Sequence, residues 1–319
     1  MQFKASAPGS LMLLGEYAVL YGKHALVCAV DKRVTVTLTP EQTDQIEIHS
    51  SLYGRYQTSL PQLGTDFIHT DPAAKPFRFV LATLKQFQVK LKHGFRLDIT
   101  TDFSDQIGLG SSAAVTVATL AVLTTWLGER VQPLDLLRQG RSIVRQVQGG
   151  LGSGADVAAS VHGGIVSYQA QPLSAEKFQL VHPLTVLYSG FKTPTAEVVQ
   201  QVQQRFSSHP NLFRELVNGL GQCALDGMHV VRKNEWSKLG EIMNIQQGMM
   251  EALGVSSTLL HGMANDLRQQ PGVTGAKISG SGMGDCVIGL GATAASYSYA
   301  DLQRINVSMT LQGVHCEKN

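Results

Sequence analysis

The chain has 319 residues, about twice the usual length of one domain, which leaves room for one large unit or two packed lobes. With 43% hydrophobic and 16% charged residues it is neither a disordered chain nor a coiled coil. A balance of 26 Lys and Arg against 24 Asp and Glu is too even for the basic field that backbone-driven nucleic-acid binding requires, which argues against nucleic acid as a partner.

In chain order, Phe3 to Ala5, Ala25 to Val30, Arg33 to Leu38 and Ile46 to His49 read as strands, with Val34, Val36 and Leu38 marking one half-buried face. The apolar stretch from Ser10 to Leu20 is interrupted by Glu16 and has no cleavage pattern, so no export signal is expected. Pro76 to Val89 carries Phe77, Val80, Leu81, Leu84 and Phe87 at helical spacing, and a strand follows at Phe95 to Ile99. The run from Gln106 to Gly128 has no charge and is long enough to span a bilayer, but its opening GLGSS and its Thr116, Thr119, Thr124 and Thr125 predict a buried core helix over 111–127 instead. No membrane partner is expected. Helices over 133–147, begun by Pro133, and near 154–162 precede a strand at Ile165 to Tyr168.

The second half opens with a strand at Leu184 to Tyr188 and continues with helices near 195–206, 211–231, 235–252 and 256–269. Strands return at Val273 to Ile278 and Cys286 to Leu290. Runs of strands followed by runs of helices predict an α+β protein of two lobes, with a boundary near 170–183, where the chain is polar and contains two prolines. Cys28, Cys223, Cys286 and Cys316 are too far apart for a zinc site or a disulfide framework, which suits a reducing cytoplasm.

Glycine, 32 residues in all, is clustered. GLGSSAAVTVA at 108–118 precedes the apolar helix; its glycines let backbone approach an anion, and the free N–H groups of a helix start favour phosphate. The alternative is that Ser111 or Ser112 merely caps the helix. The stretch lacks GK[ST] and GxGxxG spacing, so neither a Walker loop nor a dinucleotide fingerprint is present. In GGLGSGADVAASVHGG at 149–164 one carboxylate, Asp156, sits in the first turn of a small-residue helix, where it either complements the helix dipole or edges a cleft. In KISGSGMGDC at 277–286 three alternate glycines exceed what a hairpin needs, which predicts close approach to a ligand.

Together with the N-terminal APGSLMLLGEYAVLYG, these stretches resemble the GHMP small-molecule kinases over nearly the whole chain, in the family's order and roughly at its spacing. The resemblance implies a two-lobed GHMP kinase fold: a ribosomal-protein-like N-terminal lobe, placed at 1–178, and an α/β C-terminal lobe, placed at 179–319. It also implies ATP and Mg2+ as cofactors, a small-molecule alcohol or phosphate as partner, and a reaction in which a hydroxyl takes the γ-phosphoryl group. GEYAVLYGKHALVCAVDKRVTV is most similar to the mevalonate kinases, whereas GLGSSAAVTVAT and SGADVAASVHGG look more like phosphomevalonate kinases; mevalonate is placed ahead of phosphomevalonate as acceptor. A homodimer is compatible with the sequence, which does not set the oligomeric state.

On this resemblance Gly108, Leu109, Gly110, Ser111, Ser112 and Ala113 hold the nucleotide phosphates, and Ser112 reaches Mg2+. Asp156 orients or deprotonates the acceptor hydroxyl. Gly280, Ser281 and Gly282 shape the cleft from the second lobe. Glu16 is a metal contact or, alternatively, a buried ion-paired glutamate. The chain departs from the family in three ways. Ser10 stands where PGK is usual, Met283 and Asp285 replace glycines, and Gln146 and Gln148 lie where an acidic Mg2+ ligand is expected. Lys192, in GFKTPT, is the candidate replacement for the lost charge, against the alternative of an ordinary surface lysine. The missing lysine also keeps open a kinase-fold binding protein without turnover.

Overall fold

The computed structural model describes residues 1–65, 71–294 and 303–318. An eight-stranded sheet organises the first lobe. Its spine runs β12(His315–Lys318), β1(Phe3–Leu14), β2(His24–Pro40), β5(Phe95–Thr101), β3(Gln45–Ser50) and β4(Gly54–Ser59), with β6(Ile165–Ala170) on β2 and β7(Leu173–Phe178) on β6. All its pairings are antiparallel except β3 with β5. The two strands expected at 25–38 are one continuous strand, because nothing at Asp31 and Lys32 breaks the ladder. β4 and β7 were not expected: each exposes one polar face, and only Tyr56, Thr58 and Phe178 are buried. The polar boundary expected near 170–183 therefore contains a strand.

Helices α1(Arg78–Phe87), α2(Ser111–Trp126), α3(Pro133–Val147) and α4(Ala155–His162) pack together, and α2 and α4 lie against β1 and β2. α2 is apolar on every side and is therefore buried. Its four threonines donate to the carbonyls of Ser112, Val115, Leu120 and Ala121, one turn back, so their hydroxyls are satisfied inside the core. Among the described residues no helix is long and apolar enough to cross a membrane.

The second lobe is a four-stranded antiparallel sheet, ordered β11(Gln303–Ile305), β8(Leu184–Tyr188), β10(Cys286–Leu290) and β9(Gly275–Ser279). α7(Trp236–Leu253) and α8(Thr258–Arg268) pack on β9, while α5(Thr195–Arg205) and α6(Pro210–Arg232) complete the helical layer. The chain then returns to the first lobe. Met309 bridges Val30, and β12 pairs Phe3 with Lys318, within the first lobe's sheet.

β1 carries the joint between the lobes. Its ladder with β2 shifts register between Pro8 and Ser10, and a Cβ at Gly9 would meet the Leu109 carbonyl at 2.6 Å. That irregularity lets the 108–113 loop dock on β1, sealed by a hydrogen bond from Ser10 N–H to Leu109 O at 3.0 Å.

Candidate active site

The 108–112 turn is built by Gly108 and Gly110, at φ 67° and 66°, and Gly110 caps α2 with no side-chain hydrogen bond. The alternative of a serine cap is thus not what forms. Ser111 and Ser112 stand in the first turn, where an α-helix presents orphan N–H groups and its positive dipole end. Both line a cavity of about 920 Å³. Its lining also includes the apolar and aromatic side chains Leu52, Tyr53 and Phe77, together with Gln148 and Lys192. Leu109 and Ala113 bury their side chains in the core, so only their backbone is available to a phosphate.

Asp156 enters from α4, just after Gly154 at φ 93°. The small residues Ala155, Ala158 and Ala159 are fully buried, and Ser160 donates to the Pro8 carbonyl at 2.7 Å, which pins the helix on β1. Ser10, also buried, donates its hydroxyl to Asp156 Oδ1 at 2.7 Å. A Cβ at Gly110 would sit 2.1 Å from that hydroxyl oxygen, so glycine is required there for the 108–112 turn, Ser10 and Asp156 to meet. Burial pushes the Asp156 pKa up and the Glu16 charge adds to the rise, while the Ser10 hydrogen bond and the Lys192 charge pull it down.

Lys192 follows β8 on an exposed loop and donates to the Asp105 carbonyl at 3.2 Å. It is near enough to both Asp156 and Asp285 to lower their pKa values.

Glu16 is not open to a metal. Its carboxylate takes hydrogen bonds from Lys277 and Gln246, and from Gly280 N–H at 3.4 Å, while Gln246 Oε1 accepts from Gly15 N–H at 2.9 Å. Lys277, Gln246 and Glu16 are all buried. Of the two expectations for Glu16, the metal contact gives way to the ion pair. Lys277 was missed; a single charge in the otherwise apolar strand Val273 to Ile278 was the available signal.

The third glycine stretch is closely packed against its neighbours. A Cβ at Gly282 would strike the Val255 carbonyl at 2.6 Å, Met283 N–H donates to the same oxygen at 2.7 Å, and Tyr17 donates to Ser281 O at 2.6 Å. Gly280, Ser281 and Gly282 thus meet Glu16, Tyr17 and Val255 at the joint between the lobes. Asp285, at the end of that stretch, is buried, and burial pushes its pKa up to about 6, with Lys192 pulling down and Asp156 pushing up. Sequence reasoning registered Asp285 only as a departure from glycine. Among the described residues no group of three or more His, Cys, Asp or Glu side chains is arranged to hold a metal ion by itself.

The chain is similar to known proteins. The family model of the GHMP kinases N terminal domain matches residues 78–164, and that of the GHMP kinases C terminal matches residues 228–297. The mevalonate kinase of Pyrococcus furiosus is 31% identical over 301 residues, covering 91% of this chain and 89% of that one. The chain belongs to the GHMP kinase family. Its fold is that of the Lin0012 protein from Listeria innocua (TM-score 0.86, 21% identity, 100% of both chains). It is also that of the Streptococcus pneumoniae phosphomevalonate kinase in complex with phosphomevalonate and AMPPNP (TM-score 0.75, 19% identity, 95% of this chain and 99% of that one). GHMP kinases use ATP, usually with Mg2+. In this GHMP kinase the open first turn of α2 at Ser111 and Ser112 and the unpartnered Asp285 Oδ1 are donors of the type a metal-bound triphosphate requires.

Proposed function

We propose that this GHMP kinase phosphorylates a small-molecule hydroxyl with ATP, and that the acceptor is mevalonate, giving 5-phosphomevalonate for isoprenoid precursor synthesis in the cytoplasm. The observation that carries the chemistry is the meeting of Asp156, held by Ser10, with the open helix start at Ser111 and Ser112. The choice of acceptor rests on the mevalonate kinase relative at 31% identity along most of the chain.

Phosphoryl transfer asks the protein for positioning and charge neutralisation rather than covalent chemistry. Backbone N–H groups of 108–112 hold the nucleotide phosphates, and the Ser112 hydroxyl faces the metal. Asp156 accepts the acceptor's hydroxyl proton and aims its oxygen; Ser10 fixes the carboxylate but brings no charge. Lys192 supplies the cation that the family's lysine would have provided from position 10. Bound Mg2+ would neutralise charge on the phosphate oxygens during transfer.

An ATP-consumption screen with mevalonate, phosphomevalonate, homoserine, galactose and shikimate, with a no-acceptor control, tests this reading. Turnover dependent on mevalonate is expected. Turnover with phosphomevalonate alone makes the chain a phosphomevalonate kinase. Nucleotide binding without turnover on any acceptor favours a binding protein of the same fold, the reading that Ser10 supports.

A further inference from the structure

Asp285 is the one acid near the phosphate loop with an unexplained oxygen. It is 6% exposed, and its Oδ1 is fully enclosed with no hydrogen-bond partner. Burying a polar atom unpaired is costly, and native folds keep such atoms for a purpose or for an absent partner. The oxygen faces the loop that cradles phosphate: a Cβ built on Gly108 would lie 3.0 Å from it.

The backbone around Asp285 is locked in place. Its N–H donates to Phe191 O at 2.9 Å, its carbonyl accepts from Ser189 N–H at 3.0 Å, and the neighbouring Cys286 thiol donates to Ile107 O at 3.0 Å. The residue sits at φ 65°, a conformation glycine adopts freely, so a turn alone gives no reason for a carboxylate here. Nor does a cation in the chain account for it. Lys192 is near, yet it donates to the Asp105 carbonyl.

The cavity that Ser111 and Ser112 line is also lined, from the end of α3, by Gln148, a neutral amide. A magnesium ion on a nucleotide takes one or two protein carboxylates, with phosphate oxygens and water completing its shell. No all-protein cage is needed, in keeping with its absence among the described residues. We propose that Asp285 is the acidic ligand of the nucleotide's divalent cation, supplied in this chain from the third glycine stretch of the second lobe to complement Ser112 of the first. The cation would then tie the two lobes together across the phosphates. The proposal rests on the ATP-binding reading above.

The test uses the full chain and Mn2+ as the probe, with free Mn2+ counted by electron paramagnetic resonance in the presence of a non-hydrolysable ATP analogue. Asp285→Asn keeps the shape and removes the charge; Asp285→Gly fits the φ 65° backbone without strain, so folding is not at risk. Both variants are expected to weaken Mn2+ binding in the ternary complex at least about tenfold, while affinity for the metal-free analogue stays within about twofold. The Gly variant is also expected to gain about 2 to 4 °C in Tm, since it loses an unsatisfied buried oxygen and a non-glycine positive φ. Parental Mn2+ affinity in both variants overturns the assignment and leaves the ATP reading intact. A parent chain that binds the analogue neither with nor without Mn2+ overturns both.

Discussion

Glu16 and Asp156 are both acids in glycine-rich stretches at the joint between the lobes, and the fold treats them in opposite ways. Glu16 is sealed: Lys277, Gln246 and the Gly280 N–H occupy its oxygens, and its cationic partner is fully buried. Asp156 has one hydrogen-bond partner among the described residues, the Ser10 hydroxyl, and its nearby cation, Lys192, is exposed and bonded elsewhere. Asp285 joins the open group, with an oxygen that has no partner. The difference teaches that position in a motif does not make an acid part of the chemistry. An acid whose hydrogen-bonding capacity is used up by the chain is architecture, and one left partly unpaired keeps capacity for another partner.

The largest effect should come from breaking the sealed pair. Lys277→Met leaves Glu16 buried without its counter-charge, and removing one partner of a buried pair costs about 3–5 kcal/mol. Urea denaturation should show that loss, and Glu16→Gln added to Lys277→Met should recover most of it, because no unpaired charge then remains. A single-variant loss below about 1 kcal/mol would place water or another cation at Glu16 and erase the contrast.

The open group should respond to pH in the metal-free protein. Asp285 holds its proton up to about pH 6 when folded, against 3.8 ordinarily, so the folded chain binds more protons between these values and stability falls as pH rises through that window. The loss is complete above the folded value and is on the order of 2–3 kcal/mol. Asp285→Asn cannot titrate, so its Tm advantage over the parent should widen between about pH 4 and pH 7. Parallel Tm curves for the two proteins would show that Asp285 is not held in a charge-poor setting.

Local chemistry is what the sequence carried. α2, α3 and β10 lie within a residue of their expected ranges because apolar periodicity, Pro133 and flanking glycines are all near-neighbour signals. The turn at 108–112 forms because Gly108 and Gly110 can take positive φ. What could not be read was contact across the chain. Ser10 looked like a deficit until the fold set it against Asp156, 146 residues away. Lys277 drew no reading at all, because its partner, Glu16, lies 261 residues away. The third stretch looked ligand-facing because glycine allows close approach to anything, and here the neighbour at Gly282 is the Val255 carbonyl. The return of β12 to β1 left no local mark, since its four residues, His315–Lys318, are mostly exposed.

Within the open group, Asp156→Asn should give the larger kinetic effect. The amide keeps the Ser10 contact but cannot take a proton, so kcat should fall at least about a hundredfold with nucleotide affinity little changed. Steady-state kinetics with mevalonate, alongside binding of a non-hydrolysable analogue, separates the two quantities. A near-parental kcat would return Asp156 to a helix-start acid that merely complements the dipole of α4.

The smallest expected effect distinguishes the two lysines. Lys277 is enclosed and answers to Glu16; Lys192 is exposed, lines the cavity and pulls down the pKa of both open aspartates without bonding to either. A cation so placed is free to follow charge as it develops on the transferring group, and mobility limits how much it contributes. Lys192→Met should therefore cost at least about tenfold in kcat/KM, or about 1.4 kcal/mol of transition-state stabilisation. Stability should change by no more than about 0.5 kcal/mol, as for an exposed residue. Lys192→Arg, which keeps the charge, should recover part of the rate. If kcat/KM is unchanged in Lys192→Met while denaturation is also unchanged, the charge lost at position 10 has no replacement in this loop, and Asp156 with the metal must position and activate the hydroxyl without a lysine.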